Sequence, residues 1–144
     1  MQRLVLIRYG SHQNGHLTKE GKSAMVKAAN NLRPHLHDKS FVVLASSSPR
    51  AAESGKIVAE VLDSDLQMSN ALYAAEEEGI LPDTAQAATM LQDFNDIDTV
   101  VAIASREYIE TLPSFLLHKT LKTNLERGEC LIIDLEERSI SYLR

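Results

Sequence analysis

The chain has 144 residues, of which 44% are hydrophobic and 24% charged, and its formal net charge is -5 at pH 7. These values predict one globular domain spanning residues 1–144, and they exclude a disordered or fibrous chain. The acidic balance argues against a nucleic-acid-binding protein, and no apolar run approaches the roughly 20 residues of a membrane-spanning helix. We therefore expect neither nucleic acid nor a membrane as a partner.

Cys130 is the only cysteine, so an intrachain disulfide is impossible. Because the residue lies in an apolar run, we predict a buried thiol. A reducing compartment is the simpler assumption for such a chain, and the sequence therefore predicts a cytoplasmic protein.

The first predicted element is a buried strand over Leu4–Ile7, which runs directly into Arg8, Tyr9 and Gly10. Consecutive apolar residues that end in a charge and a glycine indicate a strand followed by a loop. Ligands bind at the carboxyl ends of the strands in open α/β sheets, so Arg8 is a candidate binding residue. Taken alone, however, an Arg and a Gly at a strand end are more typical of an ordinary turn.

A polar segment and a helix come next. The segment Ser11–His16 lacks periodicity and is predicted to form an exposed loop. Thr18 then caps a helix whose apolar residues recur at helical spacing and which ends at Pro34.

His35, His37 and Asp38 follow this helix, and all of them are competent metal ligands. Alternate residues in a loop are a weak metal signal, however, and histidines are also common at helix C-termini, where the dipole favours positive charge. We predict no metal, and nothing else in the chain indicates a cofactor.

The second predicted strand, Phe41–Ala45, also runs into a polar segment. Ser46 follows the strand, Ser48 is placed to cap a helix, and Pro49 occupies the first helical position. Arg50 lies in the first turn of this helix, where free backbone N–H groups attract anions. Arg50 therefore joins Arg8 as a candidate ligand-binding residue.

The remainder of the chain continues the alternation of strands and helices. A helix opens at Pro82–Asp83, and another follows Ser105 until Pro113 breaks or kinks it. The further predicted strands are Leu66–Met68, Thr99–Ala104, Gly128–Leu135 and Ser139–Leu143, the last two forming a hairpin. This order predicts an α/β fold, a three-layer α/β/α sandwich with a mainly parallel sheet.

Several motifs carry a resemblance to one family. Arg8-Tyr9-Gly10 resembles the Arg-His-Gly signature of the histidine phosphatase (phosphoglycerate mutase-like) superfamily, and residues 17–21 resemble its Leu-Thr-x-x-Gly segment. Ser46 to Ser54 is similar to the Ser-Pro-x-x-Arg-Ala-x-x-Thr motif, whose Arg is the second phosphate ligand. The length is closest to the short, SixA-type phosphohistidine phosphatase branch. The resemblance implies a phosphoglycerate mutase-like fold and a phosphate site that includes Arg8, Gly10, Ser46 and Arg50.

The chain departs from the family at both catalytic histidines. Tyr9 stands at the position of the nucleophilic His, and Ser105 at that of the second His, which contacts the transferring phosphoryl group. A tyrosine phenol ordinarily has a pKa of about 10 and is a weak nucleophile at neutral pH. Loss of one preorganised donor typically lowers the rate about a hundredfold or more.

The chain also departs from the family at a position that is commonly acidic. Ala74 stands where an acidic residue is common, and it is followed by Glu76, Glu77 and Glu78. A run of three acids is usually a solvated loop. The sequence leaves open whether one of them replaces the acid.

These departures predict a degenerate, inactive domain that binds a phosphate-bearing small molecule or phosphoprotein through Arg8 and Arg50. The alternative is an active phosphohistidine or phosphoester phosphatase of altered mechanism, with Tyr9 as nucleophile. A purely structural protein with a relic Arg pair also remains open. His12 and His16 match no His position of the family and are predicted to face solvent.

Overall fold

The computed structural model describes residues 1–144 apart from the side chain of Glu76. Its strands are β1 (Arg3–Arg8), β2 (His12–Gln13), β3 (His16–Leu17), β4 (Phe41–Ala45), β5 (Leu66–Met68), β6 (Thr99–Ala104), β7 (Cys130–Asp134) and β8 (Ser139–Leu143). Its helices are α1 (Lys19–Leu32), α2 (Pro49–Leu62), α3 (Thr84–Leu91) and α4 (Arg106–Leu117). Short 3-10 turns follow α1 and α3 and interrupt the segment between β5 and α3.

Six strands form the central sheet, in the order β5-β4-β6-β1-β7-β8. The pairs among β5, β4, β6 and β1 are parallel, whereas β7 pairs antiparallel with β1, and β8 pairs antiparallel with β7. The predicted mainly parallel sheet and its terminal hairpin are confirmed. Because β1, β4 and β6 run in the same direction, the residues after Arg8, Ala45 and Ala104 meet at one edge of the sheet.

Helices cover both faces of the sheet, which confirms the three layers. Along β1, Leu4 and Leu6 face the core shared with α3 and α4, whereas Val5 and Ile7 face the core shared with α1 and α2. Successive side chains of a strand point to opposite faces, so a strand that is apolar throughout needs a helix layer on each side.

The predicted helix starts are observed. The Thr18 hydroxyl accepts a hydrogen bond from Gly21 N at the start of α1, and the Ser48 hydroxyl accepts one from Ala51 N at the start of α2. Such caps satisfy backbone N–H groups that the helix itself leaves free.

The segment after β1 differs from the expectation of a loop without regular structure. β2 and β3 form a two-stranded hairpin whose turn residues, Asn14 and Gly15, both have positive φ. Asn-Gly is the strongest short signal for this kind of turn, and it is present in the sequence. The hairpin lies beside α2, because Glu53 accepts hydrogen bonds from His16 and from Leu17 N.

Helix α4 does not end at Pro113 but continues to Leu117. Proline lacks the N–H that would bond to the carbonyl four residues earlier, here that of Ile109. The buried Thr123 hydroxyl donates to this carbonyl at 2.6 Å. The loop after α4 therefore supplies the hydrogen bond that the proline removes. Among the residues the structure describes, no helix is long and apolar enough to cross a membrane.

Candidate phosphate site

Arg8 ends β1 at the edge where the parallel strands terminate. It lies opposite Ala104 in the register with β6, and its Nη1 donates to the carbonyl of Leu125 at 3.3 Å. Its Nε is buried and has no hydrogen-bond partner among the residues that the structure describes. Arg8 also lines a cavity of about 160 Å³, together with Arg106, Ile109, Glu110, Asn124, Leu125 and Glu126.

Arg50 enters the same region from the first turn of α2. Only 5% of its surface is exposed, its guanidinium carbon lies 5.3 Å from the centre of the Tyr9 ring, and its Nη2 lies 3.6 Å from Glu77 Oε1. Burial disfavours the charged guanidinium, but a hydrogen bond with the Tyr9 side chain and the nearby Glu77 carboxylate outweigh this effect and raise the pKa of Arg50. Arg50 is therefore a buried and permanently charged cation.

The Tyr9 ring lies between the first strand and the hairpin. It is half-buried against the α1 and α2 face of the core, and the ring of His12 meets it edge to face at 5.5 Å. The ring fills space beside Arg50.

Ser105 and Ser46 follow β6 and β4 and are both nearly fully buried. Within the described part of the chain the Ser105 hydroxyl has no hydrogen-bond partner, although the residue stands at the start of α4. The Ser46 hydroxyl contacts that of Ser48 at 3.4 Å. Ligand contact by either serine stays a prediction.

Gly10 has a clear packing reason for being glycine. A Cβ at this position would lie 2.5 Å from the carbonyl oxygen of Gly21, so the loop could not approach α1. Its N–H donates to the Ser54 hydroxyl at 3.1 Å, and Ser54 in turn donates to the Arg50 carbonyl. Gly10 thus links the loop after β1 to the helix that carries Arg50.

Two residues near the site were not predicted to be there. His12 was expected to face solvent, but it is half-buried beside Tyr9; partial burial and then the charges of Arg50 and Arg127 lower its pKa. Arg127, in the turn before β7, lies near Arg8 and Tyr9. His16 is exposed, as expected, and pairs with Glu53.

Ala74 and the acidic run that follows it do not share one environment. Ala74 is buried in the core, Glu77 pairs with Arg50, and Glu78 accepts a hydrogen bond from Tyr73. The side chain of Glu76 lies outside the described part of the chain. Of the described carboxylates in this run, Glu77 is the one that pairs with Arg50, although its side chain is 66% exposed.

The suggested metal ligands near His35 do not form a cluster. His37 and Asp38 approach each other at 3.2 Å, and both are exposed. Across the described residues, no group of three or more His, Cys, Asp or Glu side chains is placed to hold a metal ion.

Solved structures resemble the whole chain. The protein histidine phosphatase SixA complexed with tungstate superposes with a TM-score of 0.78 and 16% identity, over 97% of this chain and 93% of that chain. The fold is that of the SixA-type histidine phosphatases. The native structure of a mycobacterial glucosyl-3-phosphoglycerate phosphatase also shares it, with a TM-score of 0.71 and 16% identity, over 99% of this chain and 96% of that chain.

The likeness to histidine phosphatases is one of structure. No protein-family model matches the chain, and no curated protein matches it by sequence. The likeness to these solved structures confirms the phosphoglycerate mutase-like fold expected from the motifs.

Proposed function

We propose that this protein binds a phosphate-bearing ligand, a small molecule or a phosphoprotein, through Arg8 and Arg50, and does not turn it over. One observation carries the proposal. Three buried side-chain atoms lack a hydrogen-bond partner among the described residues, and they are Arg8 Nε, Arg50 Nε and Ser105 Oγ. All of them belong to residues that the sequence placed at one phosphate site.

A bound oxyanion would explain these unpaired atoms. A buried polar group without a partner destabilises the fold by about 1–3 kcal/mol, and by more when it is charged. Phosphoryl oxygens accept several hydrogen bonds, and guanidinium groups bind them with charge-assisted bonds. The SixA structure with tungstate, a tetrahedral oxyanion, supports the same interpretation for this chain.

The surroundings suit a ligand larger than inorganic phosphate. The cavity at Arg8 shares Glu110 and Asn124 with a second cavity of about 380 Å³ beside the segment after α4. The remainder of a phosphorylated molecule can extend along this groove. We place the protein in the cytoplasm, with neither nucleic acid nor a membrane as its partner.

The absence of turnover follows from the two replaced positions. Tyr9 presents a phenol, and its ring packs between Arg50 and His12. Ser105 presents a neutral hydroxyl where the family resemblance expects an imidazole. Without either histidine, the site retains cations for binding but lacks the phosphoryl acceptor that the resemblance implies.

The second candidate is a phosphatase of altered mechanism, and one contact favours it. His12 meets the Tyr9 ring at 5.5 Å, and its lowered pKa keeps it neutral at pH 7, the form in which an imidazole accepts a proton. In such an enzyme, the Tyr9 oxygen would bond to phosphorus as the ester P–O bond breaks, and His12 would take the phenolic proton and pass it to the leaving oxygen. Water would then cleave the phosphotyrosine and release phosphate.

Titration with inorganic phosphate and tungstate tests the proposal. We expect amide shifts at Gly10, Ser46 and Arg50 and saturable heat in calorimetry, both lost in Arg50→Gln. Lys56→Gln is the matched control, because Lys56 is an exposed cation on the same helix. Saturating phosphate that leaves all three amides unperturbed would exclude the site.

An activity assay separates the two candidates. Aryl phosphates and phosphohistidine peptides should release phosphate no faster than in the buffer control. Turnover that disappears in Tyr9→Phe, with binding retained, would establish the enzyme and refute our proposal.

A further inference from the structure

We propose that Arg127 is a third guanidinium ligand of the phosphoryl group, and that it supplies from the β7 side the positive charge that Ser105 does not supply from the β6 side. This inference rests on the proposed function and deepens it. It assigns the site a preference for dianionic phosphate monoesters, because three cations surround one anion. Neither the motifs nor the family resemblance singles out this residue.

The sheet register brings Arg127 to the site. Ile7 of β1 pairs with Cys130 of β7 in antiparallel register, so the residues that precede Cys130 lie beside those that follow Ile7. The hydrogen bond from Arg8 to the Leu125 carbonyl fixes the same segment from its other end. Arg127 lies between these two attachments.

A tight turn holds Arg127 in this place. Glu129 N donates to the Glu126 carbonyl, and Gly128 adopts φ +92 between them, a conformation that favours glycine. The Glu129 carboxylate also accepts a hydrogen bond from Glu126 N at 2.8 Å. A backbone held in this way presents its side chain at a lower entropic cost than a free loop would.

The nearest buried carboxylate does not neutralise Arg127. Glu129 is engaged by Glu126 N through one oxygen and by Arg144 Nη1 at 3.0 Å through the other. Arg127 itself makes no hydrogen bond or ion pair with any residue that the structure describes. Its guanidinium is therefore available to a ligand.

Arg127 and Arg8 repel each other in the protein without an anion. Partial burial and then the Arg8 charge lower the pKa of Arg127, and the adjacent Glu126 carboxylate offsets these effects only in part. Like charges that are held together without an anion destabilise the fold, and an anion between them removes the penalty. This combination is typical of binding sites rather than of structural contacts.

The experiment compares three variants with the wild type by calorimetry with inorganic phosphate at fixed ionic strength. Arg127→Gln removes the charge, and Arg127→Lys keeps it without the planar fork. Lys119→Gln is the matched control, because Lys119 is an exposed cation in the segment after α4 and its Nζ donates to the Arg138 carbonyl, away from the site. Thermal unfolding without phosphate is measured in parallel.

We expect Arg127→Gln to weaken phosphate binding about tenfold, the effect of losing one charge-assisted bond, and Arg127→Lys to bind with intermediate affinity. Lys119→Gln should bind phosphate within about twofold of the wild type, because its side chain contacts the turn between β7 and β8 rather than the site. The Tm of phosphate-free Arg127→Gln should equal or exceed that of the wild type, which a structural role for Arg127 would not produce.

Three results would overturn the inference. They are an unchanged affinity in Arg127→Gln, an equal loss in Lys119→Gln, and a loss of affinity in Arg127→Gln that is accompanied by a lower Tm of that variant. A wild-type protein that binds no phosphate would instead refute the proposed function itself. Binding by the wild type that is lost in Arg50→Gln but not in Arg127→Gln would leave the proposed function standing and remove only this inference.

Discussion

Glu77 occupies part of the proposed phosphate site, and removing its charge should strengthen phosphate binding. Its Oε1 lies 3.6 Å from Arg50 Nη2, so an incoming phosphate must displace this carboxylate or share the cation with it. Glu77→Gln keeps the shape of the side chain and removes the competing charge.

The separation of the two groups sets the magnitude. Coulomb's law in bulk water gives about 1 kcal/mol for unit charges at 3.6 Å. The water value is used because solvent reaches the Glu77 carboxylate, which is 66% exposed, and screens the pair although the Arg50 side chain is only 6% exposed. Measured exposed ion pairs reach a similar upper limit. Phosphate should therefore bind Glu77→Gln about fivefold more tightly than the wild type.

Calorimetric titration with inorganic phosphate at low ionic strength measures this difference. Glu78→Gln is the matched control, because Glu78 is the next residue but contacts Tyr73 instead of Arg50. We expect a smaller gain for Glu78→Gln, and both gains should shrink as salt screens the charges. Equal affinities in the wild type and Glu77→Gln would show that the carboxylate does not compete for Arg50. Weaker binding in Glu77→Gln would show that it helps to hold Arg50 in place.

Three further predictions follow from other contacts. The double variant Tyr9→His/Ser105→His should acquire an acid-labile phosphoryl label from an aryl phosphate, on the imidazole introduced in place of Tyr9. Neither single variant should do so, because residues that act as one catalytic unit contribute non-additively. A folded double variant that neither labels nor binds phosphate would mean that the pocket has closed. Thr123→Val should lower the free energy of unfolding by about 1–3 kcal/mol in urea titrations, since it leaves a buried α4 carbonyl unpaired, and Thr123→Ser should restore most of the loss. The hydrogen bond from Leu17 N, and then that from the His16 imidazole, lowers the pKa of Glu53. The contribution of the Glu53 carboxylate to stability is therefore present above the ordinary carboxyl pKa and is lost as the pH falls through the lowered value. Acid unfolding profiles of the wild type and Glu53→Gln should therefore converge at low pH; if they stay parallel, the contact does not depend on the charge of Glu53.

Local signals in the sequence were sufficient for the elements and for part of the site. Strand β1 is an uninterrupted apolar run, and the hydroxyl caps at Thr18 and Ser48 depend on residues three positions away at most. Arg8 and Arg50 each follow or begin an element that could be recognised in this way. Once the strands were expected to be parallel, their carboxyl ends had to meet at one edge of the sheet.

Short-range reasoning failed at one turn and at one proline. Asn14-Gly15 marks a hairpin within a segment that was predicted to be an exposed loop, and that hairpin brings His12 to the Tyr9 ring. Pro113 was expected to break or kink α4, but the helix runs on because a threonine from a later loop satisfies the carbonyl that the proline leaves free. The first signal lay in the sequence itself, whereas the second depends on a distant contact.

The sequence by itself determined the order of strands and helices, the fold class, and the places of Arg8 at the end of β1 and Arg50 at the start of α2, because apolar periodicity, caps and breakers act within a few residues of one another. Only the tertiary structure decided which other charges share their site. Arg127 and Glu77 are distant along the chain from the residues they approach. The antiparallel pairing of β7 with β1 brings Arg127 to the proposed site, and the turns after β5 bring Glu77 there. Spacing within the sequence carries no information about such distances, since they are set by how the sheet orders its strands and by how the connecting segments return across its edge.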